Sequence, residues 1–141
     1  MLVYNKYMKE LGIGKHDYPL GTIRQKLFDK RFRKNKDGVV VAQLWDLNYV
    51  LDIENYCALR AFRENPNRMG YPGSLGSDDE WNQILDEMAL FYKLRIYSDG
   101  YYFSLDPKIE KEFNIHSQEE LDKKVKELKE TVDKYYRNLW D

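Results

Sequence analysis

The sequence predicts a mainly α fold: a compact helical bundle of four to five helices in a single all-α domain over residues 1–141. Three features predict it. Apolar residues recur at helical spacing through several long stretches, two of those stretches open on capping boxes, and the last carries a heptad seam. The strand signal is confined to one short β-hairpin near residues 95–105.

Residues 4–11 predict a short helix closed by Gly12, after which Gly14 and the Tyr18-Pro19 step make a loop. In residues 22–36, TIRQKLFDKRFRKNK, helical spacing comes from Ile23, Leu27, Phe28 and Phe32. Seven bases (Arg24, Lys26, Lys30, Arg31, Arg33, Lys34 and Lys36) stand there against one acid, Asp29. Asp37-Gly38 then breaks the pattern. Residues 42–64, AQLWDLNYVLDIENYCALRAFRE, are apolar around most of the helical circumference, which predicts the central and most buried helix. Asn48, Asp52 and Asn55 fall at i, i+4 and i+7 and draw one narrow polar stripe along it.

The loop GYPGSLGS leads into a helix over 78–94, with Trp81, Ile84, Leu85, Met88, Phe91 and Leu94 on its buried face. Glycines before a helix start can cradle a phosphate. Here Ser77 and Glu80 form a capping box that takes up those N–H donors, and Asp78 and Asp79 repel an anion while suiting the helix dipole. The stretch therefore reads as a turn and a cap. In residues 95–105, RIYSDGYYFSL, β-prone residues flank Ser98-Asp99-Gly100; this is a hairpin signal, with an irregular loop as the alternative. Asp106-Pro107 opens a short helical turn, and Ser117 with Glu120 is the second capping box. The last helix then runs Leu121, Val125, Leu128, Val132, Tyr135, Leu139, a seam of about three heptads. Such a seam packs within a bundle, the favoured arrangement at this length, or against a copy of itself in a homo-oligomer.

Composition narrows the class further. Charged residues make up 33% and hydrophobic residues 43%, enough for a core. A chain of 141 residues buries roughly two-thirds of its unfolded surface and needs no staple. No apolar run approaches the roughly 20 residues of a membrane span. MLVYNKYMKELG lacks an apolar core segment, so no secretory signal is expected. Cys57 is the sole cysteine, which fits a reducing cytoplasm and excludes an internal disulfide. Twelve tyrosines, six phenylalanines and three tryptophans suggest a core filled with rings whose polar tips reach water, or else an interface.

Signals for chemistry are sparse, and no catalytic residue, metal or cofactor is expected. His16 sits in a loop with no serine or cysteine near it in sequence, and Cys57 lies mid-helix among apolar neighbours. His116 has Glu112 and Glu120 four residues to either side, but Ser117 as a cap makes one helix through all three untenable. Gly12-Ile13-Gly14-Lys15 lacks the upstream glycine and the following Ser or Thr of a phosphate loop. Asp46, Asp52 and Glu54 interrupt an apolar helix, so each must find a partner or shift its pKa. The partners would be bases such as Arg24, Arg31 or Arg33; the alternative is a polar pocket where Asn48, Asp52 and Asn55 meet a ligand. The basic run raises nucleic acid, but the chain's net charge is −1 and residues 106–141 hold ten acids against eight bases. No nucleic-acid-binding signature is present. A small phosphorylated ligand suits a local basic patch beside aromatics at least as well.

The second half of the chain resembles a group of short, functionally unassigned accessory proteins of tailed bacteriophages. The resemblance is carried by Trp45, Leu47, Tyr49, Leu51, Leu59 and Phe62, then Tyr71, Pro72 and Leu75. It continues through Trp81, Ile84, Leu85, Met88 and Phe91 and ends in Tyr135, Tyr136, Leu139, Trp140 and Asp141. It covers residues 43–141. Gln43 and Asn48 depart from it, because the family places acids there. The resemblance implies phage origin, expression in the cytoplasm of the bacterial host, and a role outside the virion and replication machinery. It brings no activity with it.

The resulting expectation is a phage accessory binding protein with an anti-defence role, sequestering a nucleotide-type host immune signal. Its ligand contacts would be Arg24, Lys26, Arg31, Arg33, Asn48, Tyr49, Asp52, Tyr101 and Tyr102. The alternative is a protein-interaction module that inhibits or recruits a host or phage protein through the aromatic tail at 135–140 and the heptad seam. An enzyme using clustered carboxylates and a divalent ion has the least support, since no cluster has spacing that demands a metal.

Overall fold

The computed structural model describes residues 3–15, 37, 47–68, 70–98, 103 and 105–139. The fold is mainly α, with five α-helices and no strand among those residues. In chain order they are α1 (Lys6–Glu10), α2 (Leu47–Glu64), α3 (Asp78–Tyr97), α4 (Pro107–Phe113) and α5 (Gln118–Tyr135), followed by a 3-10 turn, Tyr136–Asn138. The basic segment 22–36 and the first turn expected of the 42–64 helix lie outside the described residues.

Local chemistry sets the helix ends. Asn5 caps α1 by accepting from the Tyr7 and Met8 N–H groups, and Gly12 closes it at φ 77°, a left-handed conformation that glycine adopts without strain. Asp106 accepts from the Lys108 and Ile109 N–H groups with Pro107 at the first helical position. Both expected capping boxes form, with one shift in detail. Ser77 Oγ accepts from Glu80 N–H at 3.2 Å, but Glu80 Oε2 accepts from Gly76 rather than from Ser77. Ser117 accepts from Glu120 at 3.1 Å, and Glu120 accepts from His116. In both caps the glutamate reaches one residue further back, so it also pins the incoming chain.

The core is one cluster running through α1 to α5. Trp81, Leu85, Met88 and Leu94 of α3 are each at most 1% exposed, and α3 packs on α2, α4 and α5. Among the described residues this corrects the expectation for the 42–64 helix: α3 is the hub, while α2 leaves Leu47 and Leu51 at 40% and 46% exposure. The cause is position, because α3 has helices on three sides. The heptad seam packs inward, with Leu121, Leu128 and Tyr135 buried and Val125 and Val132 partly buried against the same cluster. Arg68 staples the α2–α3 connection, donating to Arg63 O, Asp78 and Asn82.

A second correction concerns the hairpin near 95–105. Residues 95–97 are the last turn of α3, and the Ser98 hydroxyl bonds back to Leu94 O at 2.7 Å. Ile96 and Tyr97 are β-prone but buried, so packing on the core overrides their local preference. The expected turn at Asp99-Gly100 lies outside the described residues. Among the described residues, no helix is long and apolar enough to cross a membrane.

Candidate functional site

Six of the nine expected ligand contacts, Arg24, Lys26, Arg31, Arg33, Tyr101 and Tyr102, lie outside the described residues. Asn48, Tyr49 and Asp52 occupy the first two turns of α2, with Tyr49 packed against the core. The polar stripe diverges along the helix. Asp52 turns inward and is 5% exposed, whereas Asn55 is exposed and lines a separate groove.

Asp52 accepts a hydrogen bond from Arg95 Nε at 2.9 Å, so its described partner comes from α3 and not from the basic segment. Burial pushes its carboxyl above the usual carboxylate range, and the Arg95 charge and hydrogen bond pull it partly back. The Arg95 guanidinium lies 5.9 Å from the Phe91 ring centroid and 5.8 Å from that of Phe103.

The most chemically varied concavity lies elsewhere. A cleft of about 500 Å³ is lined by Glu10 of α1, Tyr56 and Arg60 of α2, Asp86, Ala89, Leu90 and Lys93 of α3, and Phe113 of α4. The Arg60 guanidinium is its centre. It reaches Glu10 at 3.5 Å, Glu64 at 3.3 Å and Asp86 at 3.9 Å, and lies over the Tyr7 ring at 5.6 Å. Glu64 also accepts from Lys6 and from the Tyr7 hydroxyl, each at 2.8 Å, and these bonds hold its carboxyl below the usual range. The Tyr56 hydroxyl donates to Glu10 at 3.3 Å, and burial reinforced by Glu10 pushes its pKa up to about 12, so it stays a proton donor at neutral pH. On the far wall Lys93 pairs with Glu112 at 2.7 Å and lies 5.5 Å from the Phe113 ring centroid.

The cations sit deeper than the acids. The Arg60 and Lys93 side chains are 24% and 19% exposed, while Glu10, Asp86 and Glu112 are 42%, 48% and 38% exposed. The half-exposed carboxylates stand between solvent and the two cations, where an incoming anion would compete with them for the same donors. Among the described residues, no serine, cysteine or histidine lines the cleft.

A second groove of about 400 Å³ runs between α2, α3, α5 and the 3-10 turn. It is lined by Asn55, Ala58, Leu59, Phe62, Met88, Tyr92, Val132, Tyr136 and Leu139. It is mostly apolar and offers few groups for orienting a polar ligand.

Cys57 is buried, and burial pushes its thiol up to about 11. We expect it to resist a thiol reagent at about pH 8 in the folded protein and to react fully in denaturant; rapid native labelling would contradict the packing. His116 is an exposed residue ahead of α5, its ring bonded to Asn114 at 2.7 Å. Among the described residues, no group of three or more His, Cys, Asp or Glu is disposed to hold a metal ion.

Sequence reasoning missed Arg60, Lys93 and the residues around them. A signal existed: each is a lone base inside an otherwise apolar stretch, CALRAF and ALFYKL. A base placed there must be paired or line a concavity. Comparison of the chain with protein-family models, with curated proteins and with solved structures finds no match.

Proposed function

We propose that this chain is a binding protein that captures a small nucleotide-type ligand in the Arg60–Lys93 cleft and leaves it chemically unchanged. The observation that carries this reading is the convergence of four helices on one cleft holding two partly buried cations, the more exposed carboxylates that pair with them, and the Phe113 ring. Its volume of about 500 Å³ falls in the usual range for small-molecule sites. Phosphate oxygens would take the places of Glu10, Asp86 and Glu112 against Arg60 and Lys93. Sugar hydroxyls would donate to the displaced carboxylates, and a base would lie on Phe113. With no Ser, Cys or His among the described residues of its walls, the cleft suits capture better than turnover. In the setting implied by the phage resemblance, such capture would withdraw a nucleotide immune signal from the host.

The test is thermal unfolding against a panel of mononucleotides, ADP-ribose and cyclic dinucleotides. A ligand at 100 times its Kd adds about 2.7 kcal/mol of stability, enough to raise Tm by several degrees. We expect at least one nucleotide to do so, Lys93→Glu to abolish the shift, and chromatography to recover the nucleotide intact. No shift from any nucleotide at millimolar concentration sinks the proposal, and turnover of the ligand replaces capture with catalysis.

The groove favours a second reading, a protein-interaction module. Tyr136 stands at its rim at 67% exposure beside Leu139. The first part of the heptad seam is spent inside the bundle, so such a face would be built from Tyr136 with the seam's last groove-lining members, Val132 and Leu139.

A further inference from the structure

The Asp52–Arg95 pair has a geometry that a structural ion pair does not need. Asp52 is 5% exposed and engages Arg95 through Nε alone. Its other oxygen, Oδ2, is buried without a hydrogen-bond partner. The pair is therefore not the two-bond fork that would stabilise it best. Arg95 is a third exposed, and among the described residues nothing accepts a hydrogen bond from its terminal Nη1 or Nη2.

The surroundings hold the guanidinium in place. Its carbon lies within 5.9 Å of the ring centroids of Phe91 and Phe103, which are themselves 5.6 Å apart. Phe103 is anchored from α5: Gln118 donates to Phe103 O at 2.6 Å and accepts from Leu105 N–H at 2.9 Å. One carboxylate, two rings and a clamped backbone thus orient one arginine. Lys93 and Arg95 are two residues apart on a helix of 3.6 residues per turn, so Arg95 leaves α3 on the side opposite the Lys93 cleft.

We infer that Arg95 is a preorganised oxyanion-binding residue at a second site, with Asp52 as its positioning residue. The ligand class is a carboxylate or phosphate group joined to a flat apolar body. The two terminal nitrogens grip the oxyanion as a fork, and the body lies on Phe103. This site is independent of the cleft in the proposed function.

The test is titration of the full-length protein with benzoate and with phenyl phosphate, with acetate and inorganic phosphate as ring-free controls. Binding is followed by NMR of the backbone amides around residue 95 in every variant, and of the Arg95 Nε–H signal wherever the arginine is present. We expect a saturable shift of the Arg95 Nε–H, with the ring-bearing probes binding roughly tenfold tighter than the controls. The better of the two ring-bearing probes then tells whether the oxyanion is a carboxylate or a phosphate. Arg95→Lys, which keeps the charge and a partner for Asp52, should weaken binding roughly tenfold because an ammonium lacks the fork. Lys93→Ala should leave it unchanged. An unmoved Arg95 signal at saturating probe, equal affinity of Arg95→Lys, or loss in Lys93→Ala each overturns the assignment. If Arg95→Lys fails to fold, the wild-type Nε–H shift decides.

Discussion

Trp81→Ala is expected to destabilise the fold by about 3–5 kcal/mol, the largest loss from any single core truncation. Trp81 is 1% exposed and stands at the start of α3, where three elements meet. Its ring packs edge-on against Phe62 of α2 at 6.4 Å and tilted against Tyr135 of α5 at 5.9 Å. No other described side chain joins those two helices through aromatic contacts on both sides. Removing it leaves a cavity between rings too rigid to collapse, so the loss of contacts adds to the loss of burial. Natural domains are stable by only about 5–15 kcal/mol, so the variant should sit near the edge of folding. Urea unfolding followed by circular dichroism measures it. A loss under about 1.5 kcal/mol would mean that the site repacks and that α3 is not the hub.

The second large effect concerns Arg95→Ala, expected to cost about 2–3 kcal/mol at neutral pH. Removing one partner of a buried ion pair costs about 3–5 kcal/mol, reduced here because Arg95 is a third exposed. The pH dependence distinguishes this from lost packing. The Asp52 carboxyl titrates above its ordinary 3.8 in the folded chain, mainly through burial. Its protonated form is thus favoured by folding. That contribution is fully present below the unfolded value and is lost as pH rises through the folded one. Arg95 is the group that holds the folded value down, so deleting it raises that value further. The penalty should therefore be greatest near pH 7 and shrink on acidification to about pH 4.5. Asp52→Asn combined with Arg95→Ala should recover much of the loss and make the remainder independent of pH. An equal loss for Arg95→Ala at both pH values would show that only the stem's packing on Phe91 and Phe103 mattered.

The architecture was legible where local chemistry and core burial agree. The caps at Ser77, Asp106 and Ser117, the closing turn at Gly12, and the apolar spacings of α3 and α5 are short-range signals, and each found its partner within a few residues, whereas the cap at Asn5 falls inside the helix expected over residues 4–11. The end of α3 was misread because Ile96 and Tyr97 carry a β-prone preference, while their burial depends on helices distant in sequence. The hub was misassigned for a related reason. An apolar circumference reports what a helix could bury, not how many neighbours it acquires.

The site was less legible because it is assembled across the chain. Glu10, Arg60, Asp86 and Phe113 are separated by more than 20 residues at each step, and no spacing rule joins them. Asp52 reads from the sequence as a carboxylate needing a partner, but the base that meets it, Arg95, lies in a stretch whose local signal is that of a hairpin arm. Reading residues 95–97 as helix would have placed Arg95 one turn beyond Phe91, on the face turned towards α2.

Capture of a nucleotide in the Arg60–Lys93 cleft is decided by a ¹⁵N amide NMR titration of the intact protein with the nucleotide that gives the largest thermal shift. Saturable perturbations are expected at Glu10, Tyr56, Arg60, Asp86, Lys93 and Phe113, absent in Lys93→Glu, with the nucleotide's ³¹P signals unchanged in number over hours. Perturbations confined to the groove around Tyr92 and Tyr136, or none at saturating nucleotide, would contradict it.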